Sequence, residues 1–360
     1  MAQNKFIVFI DKRFLASGLA ELKEMFGKIS EDKVATDRFH IMKINRAPNG
    51  AVEAVYKERP VFIDDLIPLI GVVDFKDGDY SKVIKFLTKE LHKEKSFKLE
   101  VMNAESVSSE NAKTIEVKIG SALEGKGFRV DLKNPERYMY VVLNKNKAYV
   151  GKLHKDTAID FVLDHFREEN NKSKKPISRA WYKLDEAIRF FRIDISRVDH
   201  ALDIGAAPGG WTAYLVKAGA RTVAIDGAEM DYKNLKKVGT VAVAKNDAEL
   251  GRLDMVNTDI IHLKHNVNEV KKETFRKFGP FDGLFIDMNS PPADVAKIAR
   301  KCADFLNKGA VLVLTVKIFG GNVEKHMKEV KSILSPKYGQ IAFKKLAYNR
   351  MELTLFGRKK

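Results

Sequence analysis

The run ALDIGAAPGGWT at residues 201–212 decides how the rest of the chain is read. Its apolar start, ending at Asp203 and Ile204, has the composition of a buried parallel strand. Gly205, Ala206, Ala207, Pro208, Gly209 and Gly210 then make a turn of small residues, and Trp211 to Lys217 reads as a helix. Strand, glycine turn and helix together aim backbone N–H groups and a helix N-terminus at a bound ligand. The next strand, Thr222 to Ile225, ends in Asp226, where a ribose diol would be held. The turn departs from the dinucleotide fingerprint. Ala207 stands at the second glycine position, and Pro208 lacks the N–H that a pyrophosphate would use. A carboxylate at Asp203 suits a ligand with a cationic amino acid end. The turn therefore favours S-adenosylmethionine over NAD, with another nucleotide or a purely structural turn as the alternatives.

The chain has 360 residues, enough for two or three domains. A formal net charge of +16 points to a polyanionic partner, nucleic acid first, against the alternative of a lysine-rich solvated surface. The single cysteine, Cys302, excludes an internal disulfide and fits a reducing, cytoplasmic compartment. It sits in the helical pattern DVAKIARKCADFLN and reads as a core residue. The start, MAQNKFIVFIDKRF, is too charged for a signal peptide, and no apolar run reaches membrane-spanning length, so no membrane partner is expected.

Residues 5–10 and Phe39 to Ile44 read as strands around a helix from Leu15 to Phe26, whose Leu15, Leu19, Leu22 and Phe26 share a face. Residues 1–73 are expected to form a small ferredoxin-like α+β module. A helix follows over Tyr80 to Leu91, a strand over Phe97 to Met102, a helix over Asn111 to Leu123 and a strand over Phe128 to Leu132. Tyr138 to Val142 and Ala148 to Leu153 then make a hairpin. This run, with Ile119-Gly120, Val130-Asp131-Leu132, Pro135-Glu136 and Tyr149-Val150-Gly151, resembles a THUMP domain over residues 74–155. The resemblance implies an RNA-binding module attached to an RNA-modifying enzyme. Asp156 to Arg167 reads as a connecting helix, and the polar stretch Asn170 to Pro176 closes a linker over 156–176. From residue 177 to 360 strands and helices alternate, at Ala201–Ile204, Thr222–Ile225, Thr240–Ala244, Phe281–Ile286, Ala310–Val316 and a late pair near Lys344–Leu346 and Glu352–Phe356. That alternation predicts a doubly wound, mostly parallel Rossmann-like α/β sheet.

Four charged residues stand out. Lys183 lies in the helical SRAWYKLDEAIRFF, Asp287 ends the strand FDGLFID, Lys317 ends VLVLTVK, and Glu352 opens ELTLF. Carboxyl ends of strands in such a sheet converge on the cofactor crevice. The segments SRAWYKL, DIGAAPGGW, Asp287-Met288-Asn289, LTVKIF and NRMELTLFGRK occur here in the order found in FtsJ/RrmJ-type ribose 2′-O-methyltransferases, which this chain resembles from Ser178 to Lys360. The resemblance implies a Lys-Asp-Lys-Glu tetrad of Lys183, Asp287, Lys317 and Glu352, with Lys317 as general base. It also implies S-adenosylmethionine as cofactor, with Asp287 beside it. A THUMP domain ahead of such a catalytic domain resembles enzymes acting on 23S ribosomal RNA, so large-subunit rRNA is expected as substrate before tRNA, with the enzyme a monomer. The chain departs from the family pattern over Ala242 to Asn257, which leaves Asp247 and Asp259 as candidates for facing the adenine; Asp259, in NTDIIHL, is favoured.

A ribose 2′-hydroxyl is a poor nucleophile and must lose its proton as the methyl group arrives. Lysine is a base only when neutral, and a fall from about 10.4 to near 7 costs roughly 4 kcal/mol. Lys183 and the cofactor's sulfonium push Lys317 down while Asp287 and Glu352 push it up, so the charge of Lys317 stays open at this level. A proton that leaves late, as the sulfonium charge disappears, is a workable alternative. Two rival readings remain. Asn289-Ser290-Pro291-Pro292 resembles the N-x-P-P motif of base amino-methyltransferases of the N2-guanine type, but Pro292 replaces the aromatic that stacks on a flipped base. A non-catalytic RNA-binding or assembly factor is the other. His262 and His265 stand three apart without an acidic or cysteine cluster; both read as surface residues, and no structural metal is expected.

Overall fold

A computed structural model describes residues 4–35, 39–104, 107–155, 176–254, 256–320 and 322–360. The chain forms two compact units, Met1–Asn170 and Asn171–Lys360. The connecting helix expected over 156–167 lies outside the described residues.

The first unit carries β1 (Lys5–Phe9), α1 (Leu15–Phe26), β2 (Ile29–Ala35), β3 (Phe39–Ile44), α2 (Pro48–Glu58), β4 (Asp65–Asp74), α3 (Ser81–Glu90), β5 (Phe97–Asn103), α4 (Ala112–Glu124), β6 (Arg137–Asn144) and β7 (Lys147–His154). Its seven strands make one sheet in the order β2-β3-β1-β4-β7-β6-β5. β4 pairs antiparallel with β1 on one side and β7 on the other, so the stretches expected as separate modules over 1–73 and 74–155 share that sheet. One apolar cluster gathers Phe6, Leu22, Phe39 and Val52, and a second gathers Leu87, Phe97, Ile119 and Val141. The hairpin appears as read, with Asn144 paired to Lys147 across a two-residue turn. The strand expected at Phe128 to Leu132 shrinks to one isolated bridge, Val130 to Phe97. β4 was not legible, because Pro68 and Gly71 interrupt its pattern. The structure absorbs them with a register shift between Leu69 and Gly71.

The second unit carries α5 (Ala180–Phe190), β8 (His200–Ile204), α6 (Gly210–Lys217), β9 (Arg221–Ile225), α7 (Tyr232–Leu235), β10 (Val241–Ala244), α8 (Asp247–Gly251), β11 (Ile260–Leu263), α9 (Lys272–Phe278), β12 (Phe281–Ile286), α10 (Pro292–Cys302), β13 (Leu306–Lys317), α11 (Val323–Leu334), β14 (Tyr338–Lys344) and β15 (Glu352–Lys359). The sheet order is β10-β11-β9-β8-β12-β13-β15-β14. The strands from β10 across to β13 are parallel, and β15 and β14 close the sheet antiparallel. This is the expected doubly wound, mostly parallel architecture, with one strand more than was read: β11 lies between β10 and β9. The late pair is offset from its reading, since β14 ends at Lys344. Cys302 is buried in α10 as a core residue, and burial pushes its thiol up to about 12. Among the described residues no helix is long and apolar enough to cross a membrane.

Candidate active site

The crevice lies where the strand order reverses. β8 continues to β9 on one side and has β12 on the other, so the loops after β8 and β12 leave in different directions. The Asp287 N–H donates to Ile204 O at 3.1 Å, joining the glycine turn to the end of β12. Gly205 (φ 76°) and Gly209 (φ 112°) hold backbone conformations that side chains resist. A Cβ on Gly205 would stand 2.7 Å from the Asp287 backbone oxygen, so the turn lies flat against the strand end that carries Asp287. Asp226 fastens the same turn: its carboxylate accepts from Ala207 N at 3.0 Å and from Ala228 N at 2.8 Å. Ala206 is buried and Pro208 is exposed at the turn's tip.

Three expected cofactor contacts take a different place. Trp211 is enclosed, and its indole N–H donates to Ala180 O at 2.7 Å, tying α6 to α5. Gly210 opens α6 against Ser178 and Trp181, where close helix packing accounts for it. Asp259 precedes β11 and so stands at the amino-terminal edge of the sheet, opposite the crevice. Its carboxylate accepts from Thr240 N at 2.7 Å and Thr240 Oγ1 at 2.8 Å. Asp247, by contrast, begins α8 just beyond the carboxyl end of β10, on the crevice edge. Asp203 is fully buried. Thr212 Oγ1 donates to its Oδ2 at 2.6 Å, while Oδ1 has no partner among the described residues, and burial pushes the carboxyl up to about 7.

His262 is a further correction. The reading placed it on the surface, yet it is buried in β11. Its Nε2 lies 3.0 Å from the Asp226 carbonyl oxygen, which can only accept, so Nε2 carries the proton and Nδ1 faces the Tyr232 hydroxyl at 2.8 Å. Burial lowers its pKa and keeps it neutral. The available signal was that His262 sits inside the continuous apolar run IIHL, the composition of a strand buried on both faces.

The four charged residues converge. Lys317 and Glu352 are register partners on β13 and β15, and Lys317 Nζ donates to Glu352 Oε2. Lys183 Nζ, from α5, lies 2.7 Å from Glu352 Oε1 and 3.2 Å from Asp287 Oδ2. Lys317 Nζ is 3.6 Å from Asp287 Oδ1. Each carboxylate thus touches both lysines, and the charges cancel. Burial works to lower the pKa of Lys317, but Asp287 and Glu352 outweigh it and hold the ammonium above its ordinary value. For Glu352 burial works upward, and Lys183 with Lys317 holds it below the usual carboxylate range.

Sequence reasoning missed the supports of this square. Thr315, fully buried in β13, donates to Asp287 Oδ1 at 2.8 Å. A threonine two positions before Lys317 in an apolar strand was the available signal. Glu186, one turn after Lys183 on α5, accepts from Ala347 N at 2.8 Å and Tyr348 N at 3.0 Å. Lys345 Nζ donates to Leu346 O at 3.0 Å and Asn349 O at 2.8 Å. These contacts fix the loop that delivers Glu352. The pair Pro291-Pro292 opens α10, with Pro292 at a first-turn position where proline is at home. That accounts for the prolines of the N-x-P-P motif without a base substrate.

Residues 176–345 match the model of the FtsJ-like methyltransferase family. A protein of Marinomonas sp. named ribosomal RNA large subunit methyltransferase M is 25% identical over 243 residues, which is 64% of this chain and 69% of that protein. Proteins of the same name from Methylococcus capsulatus (27% over 194 residues) and Cellvibrio japonicus (32% over 159 residues) match 50% and 41% of this chain. Those two matches span only 46% and 44% of the relatives' own lengths. The segment from residue 176 to residue 345, which carries Lys183, Asp287 and Lys317, is an FtsJ-like methyltransferase domain.

Proposed function

We propose that this chain is an S-adenosylmethionine-dependent methyltransferase that modifies a ribose 2′-oxygen in RNA, with large-subunit ribosomal RNA as substrate, and that it works as a cytoplasmic monomer. The observation that carries this reading is the closed square of Lys183, Asp287, Lys317 and Glu352 beside the glycine turn. The surrounding residues fit the cofactor. Gly205 and Gly209 keep the turn bare, the orphaned Oδ1 of Asp203 lies beneath it, and Asp226 stands at the end of β9. Gly205, Ala206, Pro208 and Gly209 would hold the amino acid end and Asp226 the ribose. Asp247, at the start of α8 beyond the carboxyl end of β10, is the better candidate for the adenine than Asp259, which precedes β11. S-adenosylmethionine supplies the methyl group when bound.

The chain's own residues handle the hydroxyl. Lys317 takes its proton, and Lys183 holds the developing oxyanion by charge and hydrogen bond. Asp287 and Glu352 hold both ammonium heads in place, and Thr315 fixes Asp287 in turn. Because Lys317 rests with a raised pKa, it must shed a proton before it can act. The N-terminal unit, with its resemblance to a THUMP domain over 74–155, supplies RNA affinity through phosphate contacts.

The test is nucleoside analysis. Full-length protein, methyl-labelled S-adenosylmethionine and unmodified large-subunit rRNA are incubated, and the RNA is digested. The expected product is one 2′-O-methylnucleoside at an alkali-resistant linkage. Label in N2-methylguanosine, or no label in RNA, overturns the reading.

A further inference from the structure

Among the described residues six large apolar side chains are strongly exposed, and Phe319 is the one aromatic, at 56%. It stands two residues beyond Lys317. The antiparallel pairing that matches Lys317 with Glu352 continues past the strand ends, since Ile318 N–H donates to Met351 O at 2.8 Å. Beyond that pair the chain leaves both strands, and the next residues along it, Phe319 after β13 and Arg350 before β15, are both exposed. Side chains two apart along a strand share a face. Ile318, between Lys317 and Phe319, is buried while Phe319 is exposed, the alternation expected where the chain runs on from β13.

We propose that Phe319 and Arg350 form a stacking shelf for the nucleobase of the nucleotide whose ribose is methylated. The inference rests on the ribose 2′-O-methyl transfer proposed above. A nucleobase hangs from C1′, the carbon bonded to the C2′ that carries the reacting hydroxyl. With that hydroxyl at Lys317, the base must lie within a few ångströms of it. Two residues of chain span at most about 7 Å between Cα atoms, so the Phe319 side chain is within reach of a base held beside Lys317. An exposed aromatic ring and a planar guanidinium are the two surfaces on which proteins stack unpaired RNA bases. Stacking is indifferent to base identity, so the shelf sets the position of the nucleotide rather than its sequence. It also requires that the target be unpaired, because a base inside a duplex has no free face to offer.

The experiment uses the full-length enzyme and an RNA whose methylated position has been mapped by alkali resistance. Phe319→Ala is compared with Phe319→Trp, on that RNA and on the same RNA with an abasic ribose at the target. Loss of one stacked base corresponds to about 5- to 150-fold. The expected result is a rise of about ten-fold or more in KM for RNA in Phe319→Ala, recovery in Phe319→Trp, and unchanged S-adenosylmethionine affinity by calorimetry. On abasic RNA the wild type should lose the same factor and Phe319→Ala should lose no more. Unchanged KM in Phe319→Ala, absence of rescue by tryptophan, or an equal further loss on abasic RNA overturns the shelf. Failure of the underlying reading looks different, for then the wild-type enzyme forms no 2′-O-methylnucleoside on the intact RNA.

Discussion

At Lys317 two opposing effects meet, and the outcome sets the pH dependence. Burial disfavours its charge, yet Asp287 and Glu352 prevail and the ammonium is held above its ordinary pKa. The neutral form is then a minor species near pH 7, and each unit of pH multiplies it about tenfold. Single-turnover methyl transfer should therefore climb through pH 7–9, and a flat profile would remove Lys317 from the proton's path. Lys317→Arg keeps the charge but cannot act as a base. It should abolish transfer while cofactor binding by calorimetry stays within a few-fold of wild type. Asp203 offers a second test at this scale. Its folded pKa of about 7 lies above the unfolded value of roughly 3.9, so the folded state binds the extra proton between them. Its contribution thus favours folding at low pH and turns against it as pH rises towards 7. Three units correspond to on the order of 4 kcal/mol. Asp203→Asn removes the ionisation, so its melting temperature relative to wild type should rise from pH 5 to pH 8. A difference that does not change with pH contradicts this assignment.

At the scale of elements, α5 and the loop between β14 and β15 hold the tetrad together. Glu186 accepts two backbone N–H groups of that loop, and the rings of Tyr182 and Tyr348 stack at 5.1 Å across the same joint. Lys183 and Glu352 arrive from its two sides. Glu186→Ala leaves two donors without their acceptor, at about 1–3 kcal/mol each. We expect a clear drop in melting temperature and a fall in kcat larger than any change in cofactor affinity. A variant that unfolds earlier yet turns over normally would show that the joint only stabilises. The glycine turn is the other sensitive element. Gly205→Ala places a methyl 2.7 Å from the Asp287 backbone oxygen at φ 76°, so it should weaken cofactor binding as well as stability.

For the whole molecule, the proposal assigns RNA holding to the first unit and the reaction to the second. A chain of net charge +16 gains RNA affinity largely by releasing counterions, so log affinity should fall linearly with log salt. A protein starting near Ile177 should keep cofactor affinity and lose most RNA affinity. Equal RNA binding by the full-length and shortened proteins, measured by titration at matched salt, would remove that role from the N-terminal unit.

The doubly wound sheet and the four charged residues were legible in the sequence, because buried parallel strands are continuous apolar runs and a charge at the end of one stands out against them. Asp287, Lys317 and Glu352 were marked by local contrast at strand ends, while Lys183, in a helix rich in other charges, was marked by the resemblance of SRAWYKL. Local contrast says nothing of strand order, and there the sequence fell short. Asp259 and Asp226 both adjoin short apolar strands, but one precedes its strand and the other follows it, so they stand on opposite edges of the sheet. His262 looked like a surface histidine until β11 was inserted between β10 and β9, which buried it beneath Asp226. Glu186 could not be recognised at all, since the N–H groups it holds lie 161 and 162 residues along the chain. The sequence by itself determined which residues could form strands and which carry reactive charge. Only the tertiary structure decided which of those charges meet, because pairing across a sheet depends on strand order and register, which local composition does not encode.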